Sequence, residues 1–511
     1  MVDYIKLAEQ CFKENKFEDG LKYLLVSAKE QNDPRGQREL ASCYLNGKGT
    51  DRNLQEALRW YIKSADNGEI SSLMWCGYTY YLLKDYTRAL NYFYQSAKYN
   101  DCNALFFIGY FHEHGYACEK SENKAFEWHL KAAEKGHPKS RGYVGIAYYE
   151  GIGVGVNTQA AVKWLKSVTT NNSPDVLYYL GLCYDNGYVD NEPKTNAVIY
   201  YKKAAELGHA KAQYELSNKY ITASGVEHSF NDSLYWLQQS ASQGHIEAQL
   251  KLAFRLETLD IEQSIKWMEI AAENGAIKAQ ETLGYGYIYL YPKQYQDYDK
   301  GFYWLNKAVE NGSHYALKII GEAYFWGWGT AQNYHKAIEI FKKLLKCGET
   351  NIEGESSDFL GLCYYYGFGV EIDYHQAYNY LILAENKARW SFSRNGKFAL
   401  GLCYYNGHGV AKDYAKAFNC FIQNHRSVHY MSTYAAGVCY LRGHGTDKDK
   451  EKGIQFLTKA SEKGVKEATE MLKNKYCIDG DIETANSIAG DLFAEIIKNV
   501  AVNIIGGGNE D

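Results

Sequence analysis

Apolar positions along this chain recur three and four residues apart inside stretches of about a dozen residues, which is the spacing of one helix face. The stretches themselves also recur. KAFEWHLKAAEKGHPKS (124–140), EALRWYIKSADNGE (56–69), QSIKWMEIAAENGAIKA (263–279) and KGFYWLNKAVENGSHYA (300–316) share an order: a small residue, an aromatic three places on, Ala or Ser, then Gly. The aromatic position runs through Tyr23, Trp60, Tyr92, Trp128, Trp164, Tyr200, Trp236, Trp267, Trp304, Ile340, Tyr380, Cys420 and Phe456, a period of about 36 residues.

Between these helices lies a second column of an apolar residue, usually a Gly, two variable positions and a Tyr. It reads LGLCY at 180–184, 360–364 and 400–404, VGIAY at 144–148, IGEAY at 320–324 and AGVCY at 436–440. The apolar residue and the Tyr are four apart and share a face, and the Gly admits close approach. Each unit therefore reads as helix A, a Gly-rich turn, helix B and a closing Gly. Gly136-His137, Gly208-His209 and Gly244-His245 mark that closing boundary. One hairpin cannot bury both apolar faces, so neighbours have to stack. The expected fold is all-α: an α-solenoid superhelix of about 12–13 helix-turn-helix repeats of about 36 residues over 1–475, with the aromatic column as its buried spine. Residues 476–511 are set apart as a separate C-terminal segment.

The order LGxxY…GxGV…D…KA…W…KAA…G, nearly whole in LGLCYYNGHGVAKDYAKAFNC (400–420) and half present in NKAFEWHLKAAEKGH (123–137), resembles the Sel-1-like repeat family, relatives of the tetratricopeptide repeats. The resemblance covers roughly residues 3–475. It implies an α-solenoid and a non-catalytic adaptor or scaffold role. A regulatory subunit of one dedicated enzyme is the alternative, and an enzyme or metal protein a remoter one.

Composition narrows the remaining classes. Forty-eight Tyr, 20 Phe and 10 Trp against 5 Pro describe a chain folded along its length. A net charge of -5 without a dense Lys/Arg block argues against nucleic acid as partner. No run reaches the roughly 18–20 apolar residues of a membrane span, and MVDYIKLAEQCFKENKFEDG has no signal-peptide core. A cytoplasmic location is the expectation.

Several motifs resemble chemistry. Cys43, Cys183, Cys363, Cys403 and Cys439 precede the helix A Tyr where other copies carry Ala147, Ala323 or Thr79, so the position selects small size. Secreted cysteine-rich members of the resembled family pair a helix A Cys with one in helix B, but here those helix B places hold Ala132, Ala204, Ala271 and Ala308. Free structural thiols in a reducing compartment follow, with Cys118, in a turn, the more exposed exception. The six Gly-x-Gly elements, at Gly47/Gly49, Gly151/Gly153, Gly327/Gly329, Gly367/Gly369, Gly407/Gly409 and Gly443/Gly445, each follow a helix rather than a strand and read as turns rather than phosphate loops. His112, His114 and Cys118, or His425 and His429, lack a metal-site context; no metal, cofactor or catalytic residue is expected.

Surface aromatics remain. Tyr78, Tyr81, Tyr110, Tyr149, Phe325, Tyr365 and Tyr405 stand off the helix A packing stripe. They either wall a peptide-binding groove on the concave side or fill space between adjacent units. Trp328 and Trp390 fall in loops and are further partner-binding candidates, Trp390 beside Arg389 and Arg394. Insertions near 348–355 and 386–396 lengthen the period there, and 289–299 reads as an expanded turn. The C-terminal segment pairs apolar residues from Ile488/Ala489 to Ile504/Ile505, as a cap, a docking helix or a self-association segment would.

Overall fold

The computed structural model describes residues 3–168, 173–388, 391–426 and 429–473. The C-terminal segment and Trp390 lie outside the described residues. Two compact units divide the chain, Met1–Leu252 and Ala253–Asp511.

In the first unit, helices A and B alternate from Tyr4–Lys13 and Phe17–Lys29 through Pro34–Asn46 and Leu54–Asp66, Ser71–Leu82 and Tyr86–Ala97, and Cys102–His114 and Glu122–Glu134. They continue to Ala210–Thr222 and Phe230–Ser242. The second unit repeats the arrangement from Ile277–Tyr285 and Tyr298–Glu310 to Tyr430–Arg442 and Lys450–Glu462, with Lys466–Lys473 closing the described part. All of this regular structure is helical, as expected.

Local chemistry explains the helix starts and stops. Helix B begins behind a short polar side chain that accepts backbone N–H groups: Asn53 from Gln55 and Glu56, Asp85 from Arg88, Ser121 from Lys124, Asn333 from Lys336 and Asp449 from Lys452. Several A helices use histidine instead. His137, His209 and His429 each accept through the imidazole from a backbone N–H three residues on. The first Gly of the Gly-x-Gly turn caps helix A in the left-handed region, with φ between +70 and +81 at Gly47, Gly151, Gly327, Gly367, Gly407 and Gly443. The second Gly allows close approach. A Cβ at Gly329 would lie 2.6 Å from the ring of Tyr298, and one at Gly369 equally close to Cβ of Tyr334. Tyr298 and Tyr334 open the preceding B helices, so the turn seats each hairpin against its predecessor.

The buried seam differs from the expected one. Trp60 and Trp304 are buried, but Tyr92, Trp128, Trp164, Tyr200, Trp236, Trp267 and Tyr380 are only half-buried. The next residue is the core position: Tyr61, Phe93, His129, Leu165, Tyr201, Leu237, Leu305, Phe341, Leu381, Phe421 and Leu457. Most of these point at the helix A Gly of their own hairpin, and a Cβ at Gly77 would meet Phe93 at 2.6 Å, one at Gly181 Tyr201 at 2.6 Å and one at Gly361 Leu381 at 2.7 Å. The aromatic column instead covers the helix A Tyr column from outside, with ring centroids 5.5 Å apart for Tyr80–Tyr92, 5.0 Å for Tyr184–Tyr200 and 5.7 Å for Tyr364–Tyr380.

The two long steps of the period come from helix extension. Helix Thr350–Tyr366 runs 17 residues and Tyr374–Ala388 runs 15, against 13 in most neighbours. The added turns pack on one another through a Glu353–Lys387 ion pair, and the Asp358 carboxylate accepts from the Ser393 N–H at 2.9 Å. No helix among the described residues is long and apolar enough to cross a membrane.

Candidate functional site

In the first unit, three consecutive A helices, Pro34–Asn46, Ser71–Leu82 and Cys102–His114, and the turn between Gly47 and Asn53 enclose an open cavity of about 600 Å³. Its lining is Leu45, Asn46, Arg52, Met74, Trp75, Tyr78, Leu82, Asn103 and Phe107. Trp75, Tyr78 and Leu82 fall at i, i+3 and i+7, one face of one helix, and Phe107 meets them from the next. Tyr78 and Phe107 have ring centroids 5.6 Å apart, and Trp75 contacts Tyr78 edge-on at 5.9 Å. Trp75 is braced from behind by Tyr61, nearly parallel at 6.0 Å. The lining contains no helix B residue.

The polar groups here are few. Arg52 donates Nε–H to the Leu45 carbonyl at 3.0 Å, so the end of helix A orients its guanidinium. Asn46 donates its amide to the Ser42 carbonyl at 3.0 Å. The lining therefore offers rings, a thioether, two amides and one cation, which suits binding of an amphipathic ligand and supplies neither nucleophile nor base.

From the cavity an aromatic file continues along the A helices. Tyr81 meets Phe107 at 5.8 Å and Tyr110 at 6.2 Å, and Tyr149 meets Tyr179 at 5.4 Å and accepts from the Asn186 amide at 3.0 Å. A hydrogen bond with Tyr81, more than burial, pushes the Tyr110 phenol up to about 12, while burial does the same to Tyr149. These half-buried rings fill space between successive hairpins. Of the sequence candidates, Tyr78 alone also lines the cavity.

The remaining candidates fall elsewhere. Phe325, Tyr365 and Tyr405 are core residues with relative exposures of 1%, 0% and 6%, and they form no groove wall. The reason is the Gly-x-Gly turn of the next hairpin: its middle residue folds back and covers the ring, Phe368 over Phe325, His408 over Tyr365 and His444 over Tyr405. Trp328 is half-buried between Trp326 at 5.6 Å and Tyr289 at 4.8 Å, a loop folded onto neighbouring helices. Cys43, Cys183, Cys363, Cys403 and Cys439, before the helix A Tyr, are buried free thiols, and Cys118 is partly exposed. Sequence reasoning missed Trp75, Phe107 and Arg52; the signal was available, since Trp75 and Phe107 each lie three residues before a chosen Tyr on the same face.

Stacked A/B hairpins, several of them seated on their predecessor by a glycine turn, define an αα-hairpin repeat protein. The chain belongs to the Sel1 repeat family, whose profile matches twelve segments from 34–69 to 431–465. A protective antigen of uropathogenic Escherichia coli with an SLR fold superimposes with a TM-score of 0.67 at 24% identity, covering 89% of this chain and 97% of that one. A Sel1 repeat protein from Oxalobacter formigenes is 25% identical over 58% of this chain and 88% of its own, with a TM-score of 0.45. Among curated proteins none matches in sequence. The hairpin Tyr4–Lys29 precedes the first matched repeat and supplies the same A/B pattern.

Proposed function

We propose that this chain is a non-catalytic interaction scaffold that takes a protein or peptide segment into the groove between helices Pro34–Asn46, Ser71–Leu82 and Cys102–His114. The observation that carries this reading is the cavity of about 600 Å³ walled by Trp75, Tyr78 and Phe107. Repeats of this kind serve protein–protein interaction, and half-exposed aromatic side chains bury large area at low entropic cost. Buried thiols at Cys43, Cys183, Cys363, Cys403 and Cys439 fit a reducing, cytoplasmic setting. Proximity labelling in the native cell should give a partner whose binding to the purified chain weakens in Tyr78→Ala and Trp75→Ala while helicity is unchanged. Full binding by both variants would remove the groove from the reading.

A further inference from the structure

Arg52 is set apart from its neighbours by what it lacks. Of the arginines between residues 34 and 114, Arg35 pairs with Asp33 at 3.4 Å, Arg38 with Glu39 at 2.7 Å and Glu69 at 3.2 Å, Arg59 with Glu56 at 3.8 Å and Arg88 with Asp85 at 2.7 Å. Arg52 has no carboxylate within ion-pair distance among the described residues, although it lies on an acidic chain of net charge -5. Its one recorded bond is from Nε to a backbone carbonyl, which leaves the terminal guanidinium nitrogens as donors at the cavity. None of the lining residues is acidic. A guanidinium fixed through Nε presents paired N–H donors that match a carboxylate.

We infer that the groove is selective for acidic linear peptides: an aromatic or large aliphatic side chain enters between Trp75, Tyr78 and Phe107, and a neighbouring Asp or Glu carboxylate pairs with Arg52. This rests on the groove reading above and adds the chemistry of the partner. Charge complementarity carries it, since a single unpaired cation beside an apolar cavity disfavours basic segments and rewards one acid placed next to an anchor.

The full chain is panned with a display library of random linear peptides, in parallel with Arg52→Glu and Tyr78→Ala, and enriched peptides are synthesised with a fluorescent label. Arg52 is exposed and its substitution gives up the hydrogen bond to the Leu45 carbonyl, so circular dichroism checks that helicity is kept in Arg52→Glu. Expected are peptides with an aromatic or aliphatic anchor next to Asp or Glu. Their affinity should fall by about tenfold or more in Arg52→Glu. Changing the peptide acid to its amide should cost a similar factor on the parent chain and should instead recover affinity on Arg52→Glu, where the acid faces a like charge. Enriched peptides that weaken in Tyr78→Ala but not in Arg52→Glu would overturn the acidic preference and leave the groove. Peptides indifferent to both, or no enrichment, would overturn groove and preference together. A self-association of the chain abolished by Arg52→Glu would assign the groove to a second copy and equally end the proposal.

Discussion

The Tyr405 hydroxyl lies 2.9 Å from Nδ1 of His444, and the same imidazole stacks on Tyr414 with centroids 4.1 Å apart. One hairpin earlier, His408 lies 3.3 Å from the Tyr365 hydroxyl and stacks on Tyr374 at 3.9 Å. In both, the residue between the two turn glycines reaches back to clasp both helices of the preceding hairpin. Stability in a repeat array is a sum of such nearest-neighbour terms, so these rings belong to the interface between repeats.

Tyr405→Phe should therefore lower the stability of the second unit by about 1–2 kcal/mol, since the hydroxyl bonds His444 and also accepts from Arg442 at 3.4 Å. Tyr405→Ala should cost about 3–5 kcal/mol through the cavity it leaves. Urea unfolding followed by circular dichroism measures both. A loss of partner binding in Tyr405→Phe with unchanged stability would contradict the structural role.

Glycine in helix A has a steric cause that can be separated from a conformational one. A Cβ at Gly77 would lie 2.6 Å from the Phe93 ring, so Gly77→Ala should destabilise by about 1–3 kcal/mol. Adding Phe93→Leu should restore part of that. Gly244, at φ +86 with nothing within 4 Å of an added Cβ, should lose about 1–2 kcal/mol on Gly244→Ala from left-handed strain alone. Phe93→Leu should give no relief there. Equal behaviour of the two backgrounds in chemical denaturation would refute the distinction.

Hairpin order, turn glycines and the small helix A cysteine position were all legible in the sequence because each is one residue type repeated at one place. The core seam was harder to see. Its members Phe93, His129, Leu165, Tyr201 and Leu305 share only burial opposite a glycine, whereas most of the conspicuous Trp and Tyr next to them sit half-exposed. Tyr365 and Tyr405 stand off the helix A stripe, and their covering comes from His408 and His444 about forty residues later, a tertiary contact that helical periodicity does not encode. The lengthened period at 348–355 and 386–396 gave the right places: the extra residues prolong helices Thr350–Tyr366 and Tyr374–Ala388, while 391–393 are not helical. Extra residues without Pro or a Gly-rich run prolong a helix as readily as they make a loop.

Histidine caps make stability depend on pH. His137 and His429 each accept from the N–H of a serine, Ser140 and Ser432, both at 3.2 Å, which requires an unprotonated Nδ1. Burial above all, then His129 and Lys139 near His137 and Arg394 near His429, pushes both imidazoles down from 6.5 to about 4. The unfolded chain binds more protons in that window, so stability rises with pH across it. The contribution is complete above pH 6.5 and is lost as pH falls towards 4. The melting temperature should drop across this range, and less so in His137→Asn/His429→Asn, which keeps a capping acceptor without the titration. Identical pH profiles for the two proteins would exclude the caps as the cause.

Lys318 tests the second unit through a buried charge. Its Nζ lies 3.1 Å from Glu322 and 2.5 Å from Glu355, and only 8% of the residue is exposed. Burial works most strongly against the ammonium, yet Glu322 and Glu355 together overcome it and hold the lysine above its ordinary range. Burial raises Glu322, and the Lys318 ammonium beside it works in the opposite direction. Lys318→Met leaves two acids unpaired and should cost about 3–5 kcal/mol at neutral pH. Burial already raises Glu322 in the parent, and removing the ammonium raises it further, so the variant loses stability as that acid loses its proton. The deficit should therefore shrink as pH falls towards the carboxylate range, and Glu322→Gln/Glu355→Gln in the Lys318→Met background should recover most of it at neutral pH. Urea midpoints across that range for the parent, single and triple variants give the answer, and a deficit independent of pH would show that Lys318 acts by packing rather than by charge.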